Sequence, residues 1–386
     1  MVIDAYGGHL VTQMASPAER ERRLGERKDL PVLTAIVDQI YDAEKIAIGA
    51  YSPLTGFMNK KDYESVLNRL RLDNGMPWTM PILFTPNSAQ APIVQQLKAS
   101  DEVLIADWAG SPFALLRVED KFPIDRKAIG EKIFLTTDPA HPNVGDLAHF
   151  GDIAIGGKVT LLRRLEFPHQ KFELTPAETR EHFAKMGWKH VAGYQARNPP
   201  HTAHEYIQRL TLEREDVDGL LIHPVVGKLK KGDYKPEVIM RAYEAFVKNY
   251  YPEKTVHLGS LSISMRYAGP NAALFLAIVR RNYGCDHYIV GRDMAGVGKY
   301  YDPYACHRIF DQFDIGVTPV RYGEAYYCKL CGWMASPKTC SHGPEARLDT
   351  SQTLIRKLLA EGKPLPTELL RPEVAEVLRG GNVMLT

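Results

Sequence analysis

No apolar run in this sequence approaches the ~20 residues of a membrane-spanning helix, so no membrane partner is expected. The N-terminal stretch 1–16 lacks a basic segment followed by an apolar core, so no secretory leader is expected either, and the chain reads as cytoplasmic. Charge of one sign is scarce: 48 Lys and Arg face 46 Asp and Glu, a net of +2. A nucleic-acid binder wants a concentrated basic face, so no nucleic-acid partner is expected. Neither G-x-x-x-x-G-K-[ST] nor G-x-G-x-x-G occurs, which removes the P-loop and the usual dinucleotide reading. Cysteine is sparse and late. The five residues Cys285, Cys306, Cys328, Cys331 and Cys340 are odd in number and crowd the C-terminal part, which argues against a disulfide framework.

At 386 residues the chain is too long for one ordinary core, so a multi-domain protein is expected. Over residues 1–168, strand-like runs at 82–84, 102–106, 114–118, 132–135 and 153–162 are broken by Pro and Gly, which predicts a mixed, mainly β domain. A turn at 54–58 leads into an amphipathic helix over 61–67, and no catalytic constellation falls in this half. From 169 the pattern changes. Thr175-Pro176-Ala177-Glu178 reads as a capping box opening a helix that ends near Gly187. Strands are expected at 189–194, 219–226, 255–258, 287–290 and 316–320, with helices after His201, from Pro236, over 271–282 and after Asp302. This alternation predicts a Rossmann-like α/β domain on a parallel sheet over 169–324, with ligands beyond the C-terminal ends of the strands. A small third unit over 325–386 would carry the late cysteines and a helix over 349–359.

Residues 193–204 read Gly-Tyr-Gln-Ala-Arg-Asn-Pro-Pro-His-Thr-Ala-His. After them, Ala203, Tyr206, Ile207 and Leu210 follow the apolar spacing of a helix, with Pro200 suited to its first turn. The segment is therefore a strand, a polar loop and a helix whose N-terminal N–H groups face the loop, an arrangement that favours anions. His201 and His204 share one side of the first turns. A lone histidine there would cap or pack; two imidazoles beside Gln195, Arg197 and Asn198 suit charge developing on phosphate oxygens.

This stretch resembles the Q-x-R-N-P-x-H-x-x-H signature of the ATP sulfurylase family. A second block, Gly291-Arg292-Asp293-Met294-Ala295-Gly296-Val297-Gly298, resembles that family's G-R-D-H-A-G-x-G. The resemblance implies a nucleotidyltransferase that converts ATP and sulfate to adenosine 5′-phosphosulfate and pyrophosphate, reversibly. The reaction would serve sulfate assimilation or, backwards, ATP formation in sulfur oxidation. It implies that Gln195 and Arg197 bind sulfate with the backbone of Ala295. ATP would lie against Gln195, Ala196, Arg197, Asn198, His201, His204, the loop Gly291, Arg292, Asp293 and Met294, and Ala325 at the adenine. Catalysis would rest on Arg197, Asn198, His201, His204 and Arg292, with Tyr322 coupling ATP to substrate recognition. Two positions depart: Ala196 stands where many members have Thr, and Met294 where His is usual. The stretch 52–58 also matches the family, whose N-terminal domain is PUA-like. Mg²⁺ travelling with ATP and a homodimer are further implications, and no segment is left for a kinase-like C-terminal domain.

Cys328-x-x-Cys331, Cys340 and His342 make three thiolates and an imidazole, the count of a closed tetrahedral site for a structural Zn²⁺. A redox Cys-x-x-Cys pair and unrelated buried thiols are the other readings, and the redox pair leaves Cys340 and His342 without a role. Cys285 and Cys306 read as core residues. The basic loop 228–231 fits either a triphosphate contact or a solvated loop, and Arg266 either a phosphate or an Asp partner. A rival from another class, an RNA-binding module built on a PUA-like domain and the knuckle, leaves Gln195, Arg197, Asn198, His201 and His204 unexplained.

Overall fold

The computed structural model describes residues 1–25, 30–348 and 350–385. Strands β1 (Val32–Thr34), β2 (Gly56–Phe57), β3 (Glu102–Ala106), β4 (Pro112–Pro123) and β5 (Ile153–Leu161) form one sheet in the order β1-β3-β4-β5-β2. Only β1 and β3 pair in parallel among these neighbours. Two expected strands are corrected. Residues 82–84 are buried and exchange bonds with their neighbours, Met58 N–H donating to Ile82 O and Ile155 N–H to Phe84 O, yet they form no regular strand. Pro81 and Pro86 flank the run and interrupt any ladder. Around 132–135 there is a helix end: Arg126–Lys132 is helical, capped by Asp125 accepting from Ala128 N–H, and Leu135 turns to φ 56°. A short apolar run carries no period of its own, so burial of Ile133 and Phe134 looked like a strand.

Strands β6 (Val191–Tyr194), β7 (Gly219–Ile222), β8 (Val256–Leu258), β9 (His287–Val290) and β10 (Thr318–Arg321) form an all-parallel sheet in the order β10-β9-β6-β7-β8. The first strand thus lies centrally, with later strands added on both sides. The order of strand addition reverses between β6 and β9, and such a switch point opens a crevice at the strands' C-terminal ends. The helix Pro176–Met186 before β6 is fixed by the expected capping box and ends at Gly187 with φ 76°. The run expected over 219–226 stops at Ile222, where Pro224 withholds a donor; Val225 rejoins only by an isolated bridge to Leu261.

The helix Pro270–Asn282 is apolar nearly all round and almost wholly buried, which suits an element packed on every side. One core cluster accordingly runs from the N-terminal sheet through this helix to the parallel sheet. Thr79 Oγ1 donates to Asn271 O, and Asn282 Nδ2 donates to Ala50 O and Ser52 O. The contact is also ionic. Buried Arg266 Nη2 donates to both carboxylate oxygens of Asp42 at 2.6 and 2.7 Å, and Lys228 Nζ donates to Asp38 and Asp146, each at 2.9 Å. Arg266 therefore takes the Asp partner. The Lys228 amine is held by N-terminal carboxylates, so that position is neither a triphosphate contact nor simply solvated.

A third sheet, β12-β11-β13, joins β11 (Tyr326–Cys328), β12 (Trp333–Ala335) and β13 (Arg347–Leu348). The next helix is Gln352–Ala360, with Ser351 accepting from Leu354 N–H; the expected start at Asp349 lies outside the described residues. Among the described residues no helix is long and apolar enough to cross a membrane.

Candidate active site

Strand β6 delivers Gln195–Asn198 at its C-terminal end, and β9 delivers Gly291–Ala295 beside it. Both motifs open onto one cavity of about 760 Å³ at the switch point. Its wall includes every residue expected to hold nucleotide or sulfate: Gln195, Ala196, Arg197, Asn198, His201, His204, Gly291, Arg292, Asp293, Met294, Ala295 and Ala325. Tyr322 lines it too, its hydroxyl 3.0 Å from Thr211 Oγ1.

The helix after β6 runs Thr202–Leu212, so Pro200 precedes it and His201 occupies the N-cap. His201 makes no capping hydrogen bond, so its ring does not cap the helix. Part of the expected anion site is taken. The Thr202 N–H donates to Leu369 O, so that N–H is not free for a ligand. The imidazoles stand beside the rest of that helix end. His201 and His204 stack with centroids 3.6 Å apart, and the Nδ1 atom of each is buried without a partner. Burial pushes the His201 pKa down from 6.5 to about 3. Burial and the neighbouring His201 hold His204 well below its ordinary value. Both rings are therefore neutral near pH 7, and a polar ligand would complete them.

Arg197 is held from behind. Its guanidinium lies 5.0 Å from the Tyr267 ring centroid, and Nη1 is 3.4 Å from Oδ1 of the fully buried Asp233. Asp233 also accepts from Arg356 Nη2 at 3.2 Å, and the same Nη2 donates to Asn198 Oδ1 at 2.8 Å. Gln352 Nε2 donates to Pro199 O. These supports were not visible in the sequence: Arg356 and Gln352 lie far along the chain from the motif they brace, and no spacing rule links them.

The second loop is shaped by backbone strain. Asp293 and Ala295 have φ of 54° and 55°, uncommon for residues with a Cβ. Asp293 N–H donates to Pro303 O, Gly269 N–H donates to Ala295 O, and the Cys306 thiol donates to Met294 O. Met294 packs partly against the core, and the Ala196 methyl is buried, so both departures from the family pattern sit in apolar surroundings. Cys285 and Cys306 are buried core residues.

Cys328, Cys331, Cys340 and His342 converge with all ligand atoms within 4.8 Å. The His342 Nδ1 atom is 3.4 Å from the sulfurs of Cys328 and Cys331 and 3.5 Å from that of Cys340, and Cys331 and Cys340 sulfurs are 3.7 Å apart. A tetrahedron with metal–sulfur bonds of about 2.3 Å has edges of about 3.7 Å, so the cluster could hold a metal ion.

The family model for ATP-sulfurylase matches residues 170–380, and that for a PUA-like domain matches residues 3–164. The chain belongs to the ATP-sulfurylase family. Among relatives of this family, a sulfate adenylyltransferase of Symbiobacterium thermophilum is 45% identical over 382 residues, covering 98% of this chain and 96% of that protein. One from Aeropyrum pernix is 44% identical, covering 98% of each. The solved structure titled hexameric APS kinase from Thiobacillus denitrificans aligns with a TM-score of 0.76 at 27% identity, over 98% of this chain and 68% of that one.

Proposed function

We infer that the protein is a sulfate adenylyltransferase, joining ATP and sulfate to give adenosine 5′-phosphosulfate and pyrophosphate. The observation that carries the site is the convergence of the two motif loops on one cavity at the switch point. Sulfate has no proton to lose at neutral pH, so a general base has little to do. The task is to bring two anions in line and to stabilise the charge that leaves. In this reading Gln195, Arg197 and the Ala295 backbone hold sulfate. Asn198, His201, His204, Gly291, Arg292, Asp293 and Met294 hold the triphosphate, and Ala325 meets the adenine. Attack falls directly on the α-phosphorus, while the imidazoles and Arg292 take up charge passing to pyrophosphate.

Among the described residues the cavity wall contains two carboxylates, Asp293 and Glu324, among amides, imidazoles and guanidiniums. That donor-rich set suits a Mg²⁺ ion carried by phosphate oxygens and water rather than by a protein cage. The three-cysteine, one-histidine cluster takes a structural Zn²⁺, all four positions being filled by protein. The domain limits of this reading are 1–168, 169–324 and 325–386.

Pyrophosphate release from Mg-ATP, measured with sulfate, with molybdate and with neither, tests the reading. Release should require the oxyanion and run continuously with molybdate, whose adenylate is unstable. In Arg197→Ala that oxyanion-dependent release should be lost. Release that ignores the oxyanion would point to another acceptor, and none from folded protein would reject the activity.

A further inference from the structure

The acceptor groups differ in chemistry, yet each has a partner that ties up one end of it. Gln195 carries both an acceptor and donors on its amide, and its Oε1 accepts from the Tyr288 hydroxyl at 3.2 Å. That leaves the Nε2 hydrogens as the end available to a ligand. Tyr288 is fully buried, and burial raises its pKa above the ordinary value despite the nearby Arg280, so the hydroxyl keeps its proton and can donate. Arg197, a donor-only group, is aligned by Asp233 and Tyr267. The Ala295 carbonyl is already occupied by Gly269 N–H. The Asp293 carboxylate on the same loop lies against Gly296, its Oδ1 filling the space a Cβ there would need.

We propose that Tyr288 is a specificity-setting positioning residue: by fixing the Gln195 amide with its carbonyl inward, it makes the acceptor pocket present hydrogen-bond donors alone. The inference rests on the reading of Gln195, Arg197 and Ala295 as the sulfate pocket. A pocket of donors satisfies a fully deprotonated tetrahedral dianion at every oxygen. Hydrogen phosphate has nearly the same shape and charge but brings one proton, which in such a pocket finds no acceptor and is left unpaired. Discrimination then comes from a hydrogen, not from size. Selenate and molybdate, which carry no proton, pass the same filter.

The test is steady-state turnover with sulfate varied against inorganic phosphate as competitor, in the native chain and in Tyr288→Phe. Phe keeps the ring and removes the hydroxyl, freeing the Gln195 amide to flip. The variant should raise the KM for sulfate by about 10-fold, the scale of one oriented hydrogen bond. Phosphate competition should stay as it was or strengthen, so the sulfate-to-phosphate preference narrows by about 10-fold while the KM for ATP is unchanged. Gln195→Glu, which puts an acceptor in the pocket, should weaken sulfate more than phosphate. A Tyr288→Phe enzyme that loses kcat or stability with its preference intact would overturn the proposal, since a merely structural hydroxyl does that. The underlying pocket is read separately: if Gln195→Ala and Arg197→Ala leave the sulfate KM unaltered, the acceptor site itself is wrong.

Discussion

The two stacked imidazoles carry a pH signature. In the ligand-free protein the His201 pKa is held near 3 by burial, while the unfolded chain titrates near the ordinary 6.5. Between those values the unfolded state binds the proton that the folded state refuses. Stability is therefore unaffected above pH 6.5 and falls as pH drops through that window. A triphosphate beside the rings reverses the bias, because an adjacent anion favours the charged imidazole. An adjacent anion raises such a pKa by roughly one to three units, so Mg-ATP binding at about pH 5 should take up protons. Calorimetry in two buffers of different ionisation enthalpy would show it as a buffer-dependent heat, reduced in His204→Ala. Equal heats in the two buffers would mean that the rings stay neutral throughout. Much of this site was legible beforehand, because Gln195, Arg197, Asn198, His201 and His204 are contiguous enough to form a motif. Their supports were not. Asp233, Tyr288 and Arg356 come from three other segments, and such pairing is a product of the fold rather than of any local pattern.

At the scale of elements, the cysteine knuckle carries more than its own stability. Its sheet includes Arg347 and Leu348, and the chain runs on through Thr350, Ser351 and Gln352 along the cavity wall. Metal ligation in such small units is coupled to folding. Stripping zinc with a chelator, or replacing Cys340 by Ser, should lower the melting temperature and raise the KM for ATP while sparing that for sulfate. Metal analysis should find one zinc per chain, and a melting curve unmoved by the chelator would remove zinc from the fold. Element prediction followed the same physics in its successes and failures. The capping box at Thr175, the strand at 287–290 and the helix from Pro236 carried explicit start signals or runs of strand length. Residues 82–84 and 132–135 offered only hydrophobicity, which burial in a loop or helix end explains equally well.

The whole molecule is held by charges that cross between its sheets. Arg266 and Asp42 are both buried, and the Arg266 loop leads directly to Tyr267, which backs Arg197. Breaking a buried pair by removing one partner costs about 3–5 kcal/mol. Arg266→Ala should show a loss of that order in denaturant unfolding, together with weaker sulfate binding. Equal stability to the native chain would mean that the pair carries no net weight. Exposed pairs such as Lys60–Glu64 should be nearly neutral by the same measurement. The parallel sheet could be foreseen from alternating elements, whereas the depth of its contact with the N-terminal sheet could not. That contact is made through the helix Pro270–Asn282, buried on nearly every side in the structure.

Among the described residues, the cavity wall is written in five separate passages of the chain, and the last comprises Arg347, Leu348, Thr350, Ser351 and Gln352. A ribosome releases these residues after the parallel sheet and both motif loops have emerged. Sheet and loops can thus assemble around an open crevice, and the nucleotide pocket acquires its final wall later than any other part of it. Substrate is accordingly no help to the chain before then: ATP can stabilise this fold only once that last passage is in place.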